Sequence, residues 1–364
     1  MIMVIRKEKR MKAVVKARPG YDNVKLLDLE EPQVYGDRVK IKVAYSGICG
    51  SDIHSFKGEY ANIKTPVTLG HEFSGVVVEV GPDVKNVKIG DRVTSETTFE
   101  TCEECIYCAS KDYNLCPSKD YNLCPSRKGI GTQVNGSFAE YVLSREESVH
   151  VLPESVSLLA ASLTEPLACC VHAALEKTTI EPSDKVLIIG PGPMGLLLAQ
   201  VVKSQGATVI MTGIEKDKER LEFAQKLGVD RTVNVQAESL KDVIMEMTEG
   251  YGVDKGFDCS GFMPAVNDAL VLLKKKATFV QLGIFAKKFN EMDQETIIQR
   301  EIAYVGTRSQ KPSAWVTSLE LLAAGKVDTE VLITKVVGLG EFHEGIEDLM
   351  AGKEIKVAVD SSKL

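Results

Sequence analysis

The sequence predicts a two-domain α/β protein, a β-rich domain followed by a doubly wound parallel sheet. Three observations carry this: the length, a change of texture near Pro182, and a glycine-rich turn between a strand and a helix. A chain of 364 residues is longer than one hydrophobic core supports, because cores stop growing at roughly 250–300 residues. From Met11 to about Leu152, short alternating or apolar runs are broken by glycine and proline: VKIKVAY, SGVVVEV, DRVTSE, FAEYVLS and VHVLP. These read as strands of a β-rich domain. From about Pro182 the pattern becomes strand then helix. VLIIG, TVIMTG, RTVNV, FDCSG and TFVQLG are separated by stretches of helical periodicity such as KERLEFAQKLG, which implies a parallel sheet with helices on both faces. The last 55 or so residues return to mixed texture and are expected to rejoin the first domain.

Composition narrows the function classes. Hydrophobic residues at 44% and charged residues at 26% match globular chains and exclude disordered or fibrous ones. The longest apolar runs, such as VLII at 186–189, are far too short to cross a bilayer. The first ten residues, MIMVIRKEKR, place charge after a brief apolar stretch, the reverse of a secretory signal, and read as a frayed extension or an upstream start ahead of the strand-like MKAVVKA. A net charge of −7 offers polyanions no attractive field, so small neutral partners are favoured over nucleic acid. Nine cysteines, five of them between 102 and 124, read as metal binding in a reducing compartment, the cytoplasm, and not as a disulfide frame.

The turn Gly190-Pro191-Gly192-Pro193-Met194-Gly195 follows the strand KVLIIG and opens the helical stretch LLLAQVVKSQG. In that setting the three glycines have distinct tasks. Gly190 permits the tight turn, Gly192 lets backbone approach a pyrophosphate, and Gly195 allows helix and strand to pack closely, with the helix N-terminus facing the anion. Pro193 and Met194 complete the expected dinucleotide contact. About twenty residues on, an acidic side chain is expected to hold the ribose hydroxyls, and Glu215 stands there. NAD is favoured; Lys216, Lys218 and the space beside Gly213 leave NADP open, and a plain helix-start carboxylate is the competing reading of Glu215.

Cys102, Cys105, Cys108 and Cys116 follow C-x2-C-x2-C-x7-C, the spacing of a closed tetrahedral zinc site that contributes folding energy. Residues 110–117 and 118–125 both read SKDYNLCP, a local duplication of a kind that surface loops tolerate. It supplies Cys124 as an alternative fourth ligand, although the spacing favours Cys116. A second, dispersed group comprises Cys49 in GICGSD, His71 and Glu72 in GHEFSG, and Glu165 in TEPLACC. Thiolate, imidazole and carboxylate together suit zinc, with too few protein ligands to close its shell, and an open position is what a catalytic metal requires.

GICGSDIH, GHEFSG, the four-cysteine lobe, EPLA and GPGPMG, in this order, resemble the zinc-dependent medium-chain alcohol dehydrogenase family from Met11 to the C-terminus. EPLA at Glu165 is similar to its polyol branch: sorbitol (L-iditol), butanediol and threonine dehydrogenases. The resemblance implies a GroES-like catalytic domain with both zincs over residues 1–160, a Rossmann domain over 161–305, and a return to the catalytic domain over 306–364. It implies Cys49, His71 and Glu72 around a catalytic zinc, with Glu165 either a fourth ligand or the holder of its water. Cys169 and Cys170 read as packing residues. Arg308, in VGTRSQ, resembles an arginine that hydrogen-bonds substrate hydroxyls, although the following SQKPSAW departs from the sorbitol dehydrogenase pattern and leaves a surface arginine as the competing reading. A dimer or tetramer is what the likeness suggests.

The expected reaction is hydride transfer from a secondary alcohol, above all a polyol such as sorbitol, to NAD(P), with 2,3-butanediol and threonine as alternative substrates. Zinc would lower the pKa of the alcohol, and Ser51 with His54, just beyond Cys49, would relay the proton; a structural role is the competing reading of His54. The non-enzymatic rival, a zinc-ribbon nucleic-acid module, is opposed by the loop CEECIYC, which carries acid where phosphate contact demands lysine and arginine.

Overall fold

The computed structural model describes residues 9–60, 62–108 and 120–364. It divides into two compact units. The first comprises the described residues up to Glu165 together with Lys311–Ala323 and Thr329–Leu364; the second comprises Pro166–Gln310 and Ala324–Asp328.

The first unit is built on a seven-stranded sheet in which Val149–Val151, Arg92–Ser95, Glu72–Val80, Arg38–Gly47, Lys356–Asp360 and Ile333–Gly338 lie side by side. Tyr141–Arg145 also pairs with the long strand Arg38–Gly47. Alternation in the sequence explains that strand: Val39, Ile41 and Val43 point into a core shared with Phe73, Val77, Val93 and Val142. Lys40, between them, is buried as well and is neutralised by Glu31 at 2.9 Å and Glu79 at 3.0 Å. A second core joins Val14, Ile48, Phe56, Leu69 and Phe138 to Phe342, Val357 and Val359. The C-terminal strand is thus a central part of the first unit's sheet, next to the strand that leads to Cys49.

The second unit holds a six-stranded parallel sheet, ordered Arg231–Asn234, Thr208–Gly213, Lys185–Ile189, Val253–Asp258, Leu273–Gln281, Ala303–Gly306. Strand order reverses between Lys185–Ile189 and Val253–Asp258, and in such sheets ligands bind outside the carboxyl ends of the strands at that point. The apolar run Val186–Ile189 has no polar alternation because both faces are covered. Helix Pro193–Ser204 is apolar nearly all round, and every residue from Gly195 to Val202 is buried. Two strands differ from expectation. The one expected through FDCSG stops at Asp258, where the carboxylate accepts the N–H groups of Ser260 and Gly261 and turns the chain. The one expected at TFVQLG is nine residues long and begins earlier, at Leu273, with Lys274, Lys275 and Lys276 on exposed positions. Among the described residues no helix is long and apolar enough to cross a membrane.

The glycine-rich turn shows why its glycines differ. Gly190 has φ +96°, and a Cβ on Gly195 would sit 2.0 Å from the Gly190 carbonyl oxygen, whereas a Cβ on Gly192 would meet nothing within 4 Å. Gly195→Val should therefore destabilise the protein by about 1–3 kcal/mol, as overpacking does. Gly192→Ala should stay within about 0.5 kcal/mol of the parent. Thermal denaturation followed by circular dichroism separates the two, and equal melting temperatures would refute the packing argument.

Candidate metal centres and dinucleotide turn

Three stretches of the first unit converge through sheet pairing. The strand Arg38–Gly47 leads into Cys49, the N-cap of helix Gly50–Lys57. His71 and Glu72 open the neighbouring antiparallel strand, with Glu72 opposite Gly47. Lys356 opens the strand on the other side, where Ala358 faces Gly47. One donor atom each from Cys49, His71 and Glu72 lies within 4.8 Å of the other two. Gly47 is required here: a Cβ on it would stand 2.4 Å from Glu72 Oε2 and 3.2 Å from Lys356 Cε.

Electrostatics organise the cluster. Glu72 is 0% exposed and Lys356 4%, and the Lys356 ammonium donates to Glu72 Oε1 at 2.9 Å while lying 2.6 Å from Oε2. Oε2 has no aligned hydrogen bond, which leaves a buried acceptor lone pair beside Cys49 and His71. Burial by itself would keep the His71 imidazole neutral. Interaction with the Cys49 sulfur, together with Asp52 and Glu165, outweighs it and lifts His71 well above its ordinary value. Burial raises the carboxyls of Asp52 and Glu165. Asp52 also fixes the approach of the helix, since its Oδ2 accepts the Cys49 N–H at 2.9 Å while Oδ1 lies 4.0 Å from His71 Nδ1. Sulfur, imidazole and carboxylate donors around an orphaned acceptor fit zinc with an open position.

The second cluster is made of cysteine alone. The sulfurs of Cys102, Cys105, Cys108 and Cys124 lie within 4.8 Å of one another, with Cys102 3.9 Å from Cys108 and 3.5 Å from Cys124. Four thiolates at 2.3 Å from one tetrahedral zinc would be roughly 3.8 Å apart, so the spacing fits that ion. The expected Cys116 lies outside the described residues, and the fourth sulfur of the cluster belongs to Cys124. The second copy of SKDYNLCP holds Cys124 in place. Tyr121 is buried, its hydroxyl donates to Glu147 at 3.0 Å, and the Arg145 guanidinium lies 4.8 Å from its ring centre, which anchors the turn Tyr121–Leu123 and so Cys124. Backbone N–H groups of Glu104 and Cys105 lower the Cys102 thiol, whereas burial and the neighbouring thiols raise Cys108.

In the second unit Gly192 caps helix Pro193–Ser204 with Pro193 in its first turn, and the open space at Gly192 is where a pyrophosphate would approach the helix N-terminus. Met194 lies in the same first turn, and its carbonyl faces Cys170 Sγ at 3.4 Å. Glu215 follows strand Thr208–Gly213; its N–H donates to Gln236 and its Oε2 accepts from Asn234 at 2.5 Å, so the carboxylate is held at the end of the next strand. Gly213 is less open than expected, because a Cβ there would meet Pro191 and Asp217 at 3.1 Å.

The remaining residues singled out from sequence occupy varied places. Ser51 is half-buried in the first turn beyond Cys49. His54 projects outward, its side chain 60% exposed and its Nδ1 2.9 Å from Glu59. Glu165 is buried at the start of helix Thr164–Val171 and lies outside the group of three donors. Arg308 is exposed in the loop after Ala303–Gly306. Cys170 is fully buried, and Cys169 bonds to Gln310 at 3.3 Å. Sequence reasoning missed two residues. Asp52 was readable as an acid at the third position of a helix beginning at Cys49. Lys356 had no local signal, since its partner is 284 positions away.

Comparison with known proteins decides the family. Residues 36–154 match the alcohol dehydrogenase GroES-like domain and residues 193–324 the zinc-binding dehydrogenase domain. The chain is 55% identical to D-arabitol-phosphate dehydrogenase of Enterococcus avium over 97% of its own length and 98% of the relative's. The chain belongs to the zinc-dependent medium-chain alcohol dehydrogenase family. The dehydrogenase is also 46% identical to sorbitol dehydrogenase of Halalkalibacterium halodurans, over 95% of this chain and 98% of that one. Its fold superposes on a structure from Sinorhizobium meliloti 1021 bound to NADP with a TM-score of 0.88 at 30% identity, covering 97% of this chain and all of that one. The chain is thus a GroES-like plus Rossmann enzyme that uses zinc and NAD(P).

Two outcomes follow for the dehydrogenase. Cys124→Ser should lose about one zinc per chain and melt at lower temperature, while Cys116→Ser should keep its full metal content; atomic emission spectroscopy gives the count, and the opposite pattern would move the fourth ligand to Cys116. Lys356→Met should destabilise by about 3–5 kcal/mol because it leaves Glu72 buried without its cation, and adding Glu72→Gln should recover part of the loss. Urea denaturation of the single and double variants measures both.

Proposed function

We propose that the dehydrogenase oxidises a secondary hydroxyl of a polyol, and that its substrate is a pentitol phosphate. The observation that carries the chemistry is the convergence of Cys49, His71 and Glu72 donors within 4.8 Å, beside the buried Lys356 ammonium that holds Glu72. The higher identity to the D-arabitol-phosphate enzyme, 55% against 46% for the sorbitol enzyme, favours the phosphorylated substrate.

In this reading Cys49, His71 and Glu72 hold the catalytic zinc, and Cys102, Cys105, Cys108 and Cys124 the structural one. Zinc at the open site supplies Lewis-acid polarisation of the alcohol oxygen. Lys356 pairs with Glu72 and orients it, and Asp52 sets the Cys49 backbone and faces His71. Glu165, outside the three-donor group, orients water or the incoming hydroxyl beside it. The hydroxyl proton passes by way of Ser51 to His54, whose exposed ring delivers it to solvent with Glu59 as its partner. A bound nicotinamide would supply the hydride acceptor. Gly190, Gly192, Pro193, Met194 and Gly195 would seat the pyrophosphate, and Glu215 would accept from the adenosine ribose, which favours NAD over NADP. Arg308 supplies a planar guanidinium suited to substrate hydroxyl or phosphate oxygens. A cytoplasmic homo-oligomer, dimer or tetramer, completes the reading.

Steady-state oxidation of D-arabitol phosphate, D-arabitol, sorbitol, xylitol, 2,3-butanediol and threonine with NAD and with NADP tests it. The highest kcat/KM should fall on the phosphorylated pentitol with NAD, and a preference for sorbitol or threonine would replace the substrate while leaving the chemistry. Cys49→Ser should keep the parent melting curve, hold about one zinc fewer per chain and lose turnover; a variant that turns over normally without that zinc would refute the assignment.

A further inference from the structure

Toward the carboxyl ends of the last three strands of the parallel sheet lies a polar network, centred on one buried carboxylate, that neither the glycine-rich turn nor the metal centres use. Its centre is Asp258, the final residue of strand Val253–Asp258, with 0% of its surface exposed. Oδ1 accepts the N–H of Ser260 at 2.9 Å and its hydroxyl at 2.6 Å; Oδ2 accepts the N–H of Gly261 at 3.0 Å and the side-chain amide of Gln281. The Asp258 carbonyl accepts the N–H groups of Leu282 and Gly283 at 3.0 and 2.8 Å. Gln281, the last residue of the next strand, also donates to the Gly283 carbonyl at 2.7 Å, and its oxygen accepts the Tyr304 hydroxyl at 2.7 Å from the strand beyond. Asp258 therefore ties its own loop to the end of the neighbouring strand and the loop that follows it, and Gln281 extends the network to Tyr304.

The network is built for backbone placement. Gly261 has φ +65°, and a Cβ on it would stand 2.3 Å from the Ile284 oxygen; a Cβ on Gly283 would stand 2.3 Å from the Gly261 nitrogen and 2.4 Å from Asp258 Oδ2. The loops touch the glycine-rich turn too: the Cys259 N–H donates to the Ile189 carbonyl, and Ser260 packs 3.3 Å from where a Gly190 side chain would begin. They end in apolar side chains that face away from the core, Phe262 at 60% and Ile284 at 92% exposure, as walls for a flat ring would be. Glu215 marks the adenosine side of the strand-order reversal, so the loops beyond Asp258 and Gln281, on the opposite side, fall to the nicotinamide half.

We propose that Asp258 is a positioning residue for the nicotinamide half of the coenzyme, holding the loops 259–262 and 282–284 through Ser260, Gly261 and Gln281, with Tyr304 bracing Gln281. The inference rests on reading the second unit as the coenzyme-binding unit and deepens it. Asp258 touches no coenzyme atom in this scheme; it fixes backbone that does.

ADP-ribose separates the two halves, because it carries the adenosine and pyrophosphate and lacks the nicotinamide ring. Full-length wild type, Asp258→Asn and Tyr304→Phe are titrated with NADH, followed by reduced-nicotinamide fluorescence, and with ADP-ribose, followed by calorimetry. Asp258→Asn should weaken NADH about tenfold to a hundredfold, the worth of a charge-assisted hydrogen bond, with ADP-ribose within about twofold of wild type. Tyr304→Phe should weaken NADH about threefold with the same selectivity, and it keeps the test available if Asp258→Asn does not fold. Equal loss of both ligands, or no loss of either, would overturn the proposal and leave the coenzyme reading standing. Wild type that binds neither ligand would overturn both.

Discussion

A carboxylate cut off from water must have a partner, and the pairing of Glu72 with Lys356 is the constraint on which the catalytic half of this enzyme is organised. An unpaired buried charge costs several kcal/mol, so neither residue is tolerable alone. They meet because the strand Arg38–Gly47 is flanked by Glu72–Val80 on one side and Lys356–Asp360 on the other, and because Gly47 leaves room for both side chains. With the carboxylate fixed, one oxygen is bonded to lysine and the other has no aligned hydrogen bond, beside a thiol and an imidazole. The fold thus holds a site prepared for a cation, and the polarising chemistry of the family follows from that preparation.

The duplicated cysteine loop illustrates a different balance. Both copies of SKDYNLCP contain a cysteine, so thiol chemistry does not choose between them. The second copy is docked: Tyr121 meets Arg145 and Glu147, and Cys124 follows three residues behind. A ring buried against a guanidinium and a hydroxyl bonded to a carboxylate place the sulfur that local spacing would have assigned to Cys116.

How much of this was legible in the sequence depends on the range of each interaction. The glycine-rich turn was readable residue by residue because Gly190, Gly192 and Gly195 act within six positions, and the alternation Val39, Ile41, Val43 reported its own strand. The grouping of Cys49, His71 and Glu72 was readable as a donor set suited to zinc, although only sheet pairing brings the donors together. Lys356 was opaque, since nothing near it in the chain says that its partner is Glu72. So was Asp258, whose strand was expected to run on through Cys259 and Ser260 until its own carboxylate captured the following N–H groups. The space expected beside Gly213 was likewise taken by Pro191 and Asp217, neighbours that only folding supplies.

Anomalous diffraction at the zinc edge from crystals of the zinc-loaded enzyme tests the central claim most directly. The account predicts one peak bounded by Cys49 Sγ, a His71 ring nitrogen and a Glu72 carboxylate oxygen, with Lys356 still on the far side of that carboxylate, and another enclosed by four cysteine sulfurs. A zinc at Cys49 and His71 with Glu72 turned away from it, or Glu72 separated from Lys356, would contradict the account.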